Sequence, residues 1–205
     1  MRLAANFSYE RRLWARNISH IAGIDEVGRG SWAGPVVAAA VVFPPFYKPT
    51  FKLFDSKLLF PRQREELTEK ISQAADIGIG VVGVPMINKV GIGKATQKAF
   101  KRAVRALSVG CEYYLIDAFY IRHWRRDNQL PLKGGDKICA SIAAASIVAK
   151  VYRDNLMRLL AKRYPQYDFY QHKGYGTRGH QQRLREYKLS GAHRKSFNLS
   201  PFLEW

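Results

Sequence analysis

The apolar positions of this chain fall into short continuous runs, one alternating run and several helical stripes, divided by glycine- and proline-rich turns. Residues 20–25 and 36–43 are apolar runs of strand length joined by a glycine turn, and predict two buried strands. Prolines at 44, 45 and 49 block regular structure after the second run. A charged stretch over 61–75, with Pro61 at its start, predicts a helix. Glycine alternates with Ile or Val over 77–84, a third strand. Over 94–107, Ala95, Ala99, Ala103 and Leu107 repeat every four residues, while Lys94, Lys98, Lys101, Arg102 and Arg105 fill another face of the same helix. That basic face reads either as solvated surface or as a phosphate-facing stripe. Residues 113–117 form a strand ending on an acid. Residues 140–164 predict a long helix, stopped by Pro165, with Val148, Tyr152, Leu156 and Leu160 on one stripe. Its small residues Ala143, Ala144, Ala145 and Ser146 allow close packing on a sheet. Tyr9, Leu13 and Trp14 stand at helical spacing and predict a short docking helix within residues 1–19. Strands interleaved with helices make an α/β domain with a mixed sheet, residues 20–163, followed by a basic segment, residues 164–205.

Charge narrows the function. Lys and Arg number 34 against 16 Asp and Glu, a net charge of +18 over 205 residues. That excess points to nucleic acid or an anionic membrane surface, and the interleaved aromatics (13%) favour nucleic acid. A hydrophobic fraction of 47% excludes a disordered chain. The longest apolar run, 36–43, is too short to span a bilayer, so no membrane is expected. Cys111 and Cys139 lie in apolar contexts without zinc-ligand spacing and read as two buried free thiols in a reducing compartment, which places the protein in the cytoplasm.

Against this basic background, Asp25 and Glu26 stand together at the end of the first strand. Asp117 ends another, and Asp136 follows Lys133-Gly134-Gly135 just before the long helix. If the two strands run side by side in parallel, their carboxyl ends coincide where open α/β sheets place ligands. Four acids gathered there repel one another when empty and are satisfied by Mg²⁺, which takes one or two carboxylates plus water and phosphate oxygens. Asp154, deep in the long helix, reads as an intrahelical ion pair. His172, His180 and His193 have no partner at metal-ligand spacing and read as substrate-facing or structural.

Several ordered blocks give the chain a family resemblance. Gly-Ile-Asp25-Glu26-Val-Gly28-Arg29-Gly30 with Ala-Gly34-Pro35-Val-Val-Ala-Ala-Ala-Val resembles the signature of ribonuclease HII. Asp55-Ser56-Lys57, Leu-Ile-Asp117, Lys-Gly-Gly-Asp136-Lys, the block from Ser146 through Lys150 and Arg153 to Asp154, His172-Lys173-Gly174-Tyr175-Gly-Thr177 and His193-Arg194-Lys-Ser196-Phe197 follow in the family's order. The resemblance implies a ribonuclease H-like five-stranded mixed sheet flanked by helices, with a small basic helical C-terminal segment that binds substrate. It implies a monomeric endonuclease that hydrolyses the RNA strand of RNA/DNA hybrids and incises 5′ to single ribonucleotides in duplex DNA. It implies two-metal-ion hydrolysis with Mg²⁺ or Mn²⁺ that leaves 3′-OH and 5′-phosphate ends. The resemblance further implies that Asp25, Glu26, Asp117 and Asp136 are catalytic and metal-binding. Gly28, Arg29, Gly30 and Tyr175 would sense the ribonucleotide, with Ser56, Lys57, Ser146 and Lys173 also binding substrate. A non-catalytic hybrid-binding module would use the same basic surface but has no need of four acids.

Overall fold

A computed structural model describes residues 4–203. Helix α1 (Ser8–Trp14) precedes strand β1 (Ile21–Val27), which turns back into β2 (Val36–Val42). Helix α2 (Pro61–Ala74), strand β3 (Asp76–Val82), helix α3 (Val84–Arg105) and strands β4 (Tyr113–Asp117) and β5 (Gln129–Leu132) follow. The long helix α4 (Ala140–Arg163) leads into a tail with two short helices, α5 (Phe169–His172) and α6 (Arg178–Tyr187).

The five strands form one mixed sheet in the order β3-β2-β1-β4-β5. β2 pairs antiparallel with β1 and β3, whereas β4 pairs parallel with β1 and β5. β1 extends two residues beyond the expected end, because its ladder with β2 continues through Glu26↔Ala38 and Val27↔Val37. β5 had no expectation from the residue pattern alone, being short and carrying Pro131, a residue tolerated on a sheet edge. α3 starts well before Lys94, and a break at Gly91 (φ 76°, ψ 160°) divides it.

Helices cover both faces. α1, α2 and α4 pack on one side with Phe7, Trp14, Ile71 and Ile142, and α3 packs on the other with Ile87, Ala99 and Phe100. Backbone-close contacts explain two sequence patterns at once. A side-chain carbon at Gly78 would lie 2.0 Å from the Ala103 carbonyl oxygen, and one at Gly80 would lie 2.0 Å from that of Ala99. The glycines of β3 and the alanine repeat of α3 are therefore two halves of one interface, which leaves the basic residues Lys98 and Lys101 turned outward.

α1 docks as expected, with Leu13 and Trp14 buried and Tyr9 against the core. Glu10 is buried beside them and accepts hydrogen bonds from Ser141 N (2.8 Å), Ser141 Oγ (2.7 Å) and Cys139 Sγ (3.2 Å). It satisfies the Ser141 N–H in the first turn of α4, where the Ala140 N–H is taken by the Asn6 carbonyl. Cys139 is buried, but Cys111 is only half-buried, because it sits in the turn before β4 rather than in the core. The stripe expected on α4 is not its buried line. Tyr152 is exposed and Leu156 and Leu160 are partly so, while Arg153 and Met157 are buried, since the tail rather than the sheet covers this end of the helix.

Candidate active site

The parallel pairing of β1 with β4 sets the site. Ile24 pairs with Ile116, so Asp25 and Asp117 follow as the next residues of neighbouring strands. Side chains alternate faces along a strand. Gly23 packs directly under Ser141 of α4, which puts Asp25 and, through the register, Asp117 on the α4 side. Glu26 comes from the α3 side, where Arg29 Nη1 lies 3.5 Å from its Oε1. β4 pairs with β5 up to Asp117↔Leu132. The chain then turns through Gly134 (φ 68°) so that Gly135 N donates to Asp117 Oδ1 at 2.9 Å and Asp136 is carried to the same place.

All four acids line a single cavity of about 180 Å³ together with Ser56, Lys57, Ser146, Lys150 and Tyr175. Ser56 Oγ and Ser146 Oγ are 2.9 Å apart, and Lys57 Nζ is 3.6 Å from Asp136 Oδ2. Burial pushes the Asp25 carboxyl well above its ordinary range, and the charges of Glu26 and Asp117 add to the effect. Burial likewise raises Glu26 to about 7 although Arg29 opposes it, and it raises Asp136, with Asp55 adding to it. Glu26 Oε2 is buried without a hydrogen-bond partner. The acids thus form a hard-oxygen set short of positive charge. Among the described residues, no three His, Cys, Asp or Glu side chains converge tightly enough to enclose a cation by themselves. The carboxylate oxygens that line the cavity are the kind of donor that Mg²⁺ and Mn²⁺, hard cations, take together with water and phosphate oxygens.

Other expected residues stand around this cavity. Gly28 has φ 89° and packs on Arg153. Arg29, beside Glu26, also lies over the ring of Phe119, 4.5 Å from its centroid. Gly30 has open space around it. Lys173 lies outside the cavity wall, where its ammonium meets the Tyr170 carbonyl and ring. Asp154 pairs with Lys150 at 2.7 Å, the intrahelical pair expected, and also with Arg64 of α2 at 3.7 Å.

Two arginines of the recognisable blocks have a role that the sequence did not show. Arg153 and Arg194 are fully buried. Arg153 donates to the carbonyls of Pro35 (2.9 Å) and Ala33 (3.2 Å), and its guanidinium carbon lies 5.4 Å from the Tyr175 ring centroid. Arg194 donates to the carbonyls of Gly34 (3.0 Å) and Arg29 (2.9 Å), and burial lowers its pKa to about 9. Both arginines thereby hold the backbone of the β1–β2 turn. The histidines are structural. Ser190 N donates to His193 Nδ1 (2.9 Å), which leaves the proton on Nε2 to donate to His180 Nε2 (3.0 Å), and His180 Nδ1 then donates to the Tyr175 carbonyl (3.0 Å). His172 stacks on His180 at 4.3 Å. Trp32 closes the assembly, its N donating to Gly174 O and its ring 4.5 Å from that of Phe202.

A mixed five-stranded sheet with acids at the ends of its parallel strands, in a chain this basic, defines the class: a ribonuclease H-type nuclease. The family model "Ribonuclease HII" matches residues 22–200. Ribonuclease HII of Geobacillus thermodenitrificans is 49% identical over 191 residues, covering 92% of this chain and 72% of that protein. Ribonuclease H2 of Pyrococcus horikoshii superposes with a TM-score of 0.71 at 21% identity, over 90% of this chain and 97% of that one. Bst-RNase HIII in complex with Mn²⁺ superposes with a TM-score of 0.65 at 18% identity, over 93% and 71%. The chain belongs to the ribonuclease HII family and is a ribonuclease H endonuclease, a hydrolase of the RNA strand of RNA/DNA hybrids.

Proposed function

We propose that the enzyme also incises 5′ to single ribonucleotides embedded in duplex DNA, leaving 3′-OH and 5′-phosphate ends, with Asp25, Glu26, Asp117 and Asp136 as its catalytic and metal-binding residues. The observation that carries the reading is the single cavity those four carboxylates share with Ser56, Lys57, Lys150 and Tyr175. The four acids would hold Mg²⁺ or Mn²⁺, which would supply the charge that activates water and stabilises the leaving 3′-oxygen of an in-line displacement. The Mn²⁺ bound by Bst-RNase HIII supports a cation of this kind.

The chain's own residues bring the substrate there. Lys57 and Lys150 offset the charge of an incoming phosphate at a site otherwise lined by acids. Backbone groups of Gly28, Arg29 and Gly30 approach the sugar, where an N–H or C=O bonds the 2′-OH that separates RNA from DNA. Tyr175 stacks on the sugar or base at the junction, held at its carbonyl by His180 and beneath its ring by Arg153. The basic segment 164–205 holds the duplex through its phosphates, independent of sequence. The test is incision mapped at nucleotide resolution on duplexes with one and with four ribonucleotides, with and without Mg²⁺ or Mn²⁺. Metal-dependent incision of both, 5′ to the single ribonucleotide, is expected; cleavage restricted to the four-ribonucleotide duplex contradicts the finer activity.

A further inference from the structure

A second and larger concavity, about 550 Å³, opens on the α3 side of the sheet next to the carboxylates. Its wall comes from the second half of α3 (Lys94, Gln97) and from the segment after β4 (Phe119, Tyr120, Arg122, Arg126), with Arg29 at the junction. Four of its residues are basic, and no Asp or Glu of the described residues lines it. Phe119 and Tyr120 are exposed and carry guanidinium groups on their faces, Arg29 at 4.5 Å and Arg126 at 4.9 Å. Gln97 fixes the wall, its Nε2 donating to Tyr120 O at 2.9 Å and its Oε1 accepting from Arg122 N at 2.7 Å. The pocket is thus braced rather than a chance gathering of surface lysines. Arg29 connects it to the catalytic cavity, since the same side chain contacts Glu26, and its Nε is buried without a partner.

We propose that this pocket seats the sugar–phosphate backbone of the duplex flanking the cleaved bond, with Lys94, Arg122 and Arg126 on its phosphates. The inference rests on the nucleic-acid reading of the carboxylate site and extends the bound surface across the sheet end to α3. Basic groups beside exposed aromatic faces hold a backbone without reading bases. Of the basic face expected on α3, it assigns Lys94 to phosphate and leaves Lys98 and Lys101 to solvent. The three side chains are exposed, and the hydrogen bonds that shape the wall use Gln97 and backbone atoms, so truncation leaves the pocket's frame intact.

The test compares the wild type, the triple variant Lys94→Ala/Arg122→Ala/Arg126→Ala, and Lys70→Ala. Lys70 is an exposed lysine of α2 on the opposite face of the sheet. Binding of a fluorescent RNA/DNA duplex is followed by anisotropy in EDTA over a salt series, and incision is followed separately with Mg²⁺. The triple variant is expected to bind at least about tenfold more weakly, and its slope of log affinity against log salt to fall by roughly 2–3. Its KM rises while kcat holds, and Lys70→Ala matches the wild type. An unchanged slope and affinity in the triple variant overturns the pocket, as does a loss confined to kcat. Failure of the wild type to cut, with binding loss in the triple variant intact, counts against the catalytic reading instead and leaves the pocket standing.

Discussion

A side-chain carbon at Gly28 would lie 2.2 Å from Arg153 Nε, so the turn after β1 rests directly on a buried guanidinium of α4. The same guanidinium lies against Tyr175 and holds the carbonyls of Ala33 and Pro35. Arg153 therefore sets the spacing between the turn and the tyrosine proposed to sense the ribonucleotide. Gly28→Ala combines a positive φ with that contact and is expected to cost about 1–3 kcal/mol and to lower single-ribonucleotide incision strongly. Gly30→Ala meets open space and should be mild by comparison. Thermal melts and initial rates of the two variants, side by side, check the contrast.

Arg153→Ala removes two hydrogen bonds to the carbonyls of buried residues, and is expected to destabilise by about 3–5 kcal/mol. Arg153→Lys retains charge without the planar fork and should fall between. Denaturant unfolding measures both, and equal stability of Arg153→Ala and the wild type would remove its bracing role.

The histidine chain predicts a pH dependence. Burial lowers His180 to about 3 and His193 to about 4, so both are neutral in the fold. Their folded pKa values lie below the unfolded value of about 6.5, so only the unfolded chain takes up protons between them. The stability they contribute is present above about pH 6.5 and drains away as pH falls, by about 2 kcal/mol each at pH 5. Glu26, raised to about 7, has the opposite sign, since the fold takes up its proton first. The difference in melting temperature between the wild type and His180→Gln, followed from pH 7 to 5, isolates the histidine part, and should shrink as pH falls.

Glu10→Ala should destabilise by about 2–3 kcal/mol, because it frees the Ser141 N–H and hydroxyl in a buried place. Circular dichroism melts measure the loss.

Much of this fold is legible because its elements obey one period each. β1, β2 and the alanine face of α3 can be read from the residues. β5 cannot, since Gln-Leu-Pro-Leu has neither length nor alternation, and it forms only because β4 offers a free edge. The start of α3 is hidden by Gly91 and Gly93. The acids are legible as a set because carboxylates at the ends of apolar strands are costly to bury unless a cation meets them. Lys150 and Asp55 sit in recognisable blocks, yet only the fold brings one to the cavity and the other beside Asp136. Arg153 and Arg194 also stand in such blocks, but their burial is illegible, because arginines in a basic chain look like surface until the tail closes over them.

In the proposed mechanism the four carboxylates of this cavity act together, holding the metal that activates water for the cut. Asp25→Asn removes a charge that is costly to bury and that Glu26 and Asp117 repel, so the metal-free variant should be more stable, by about 1–2 kcal/mol. Its incision of a one-ribonucleotide duplex with Mg²⁺ or Mn²⁺ should fall on the order of a thousandfold or more, with duplex binding retained. Measuring that single-turnover rate is the most direct test. A rate at or near the wild type's, in a variant that binds equally well, would contradict catalysis at this cavity.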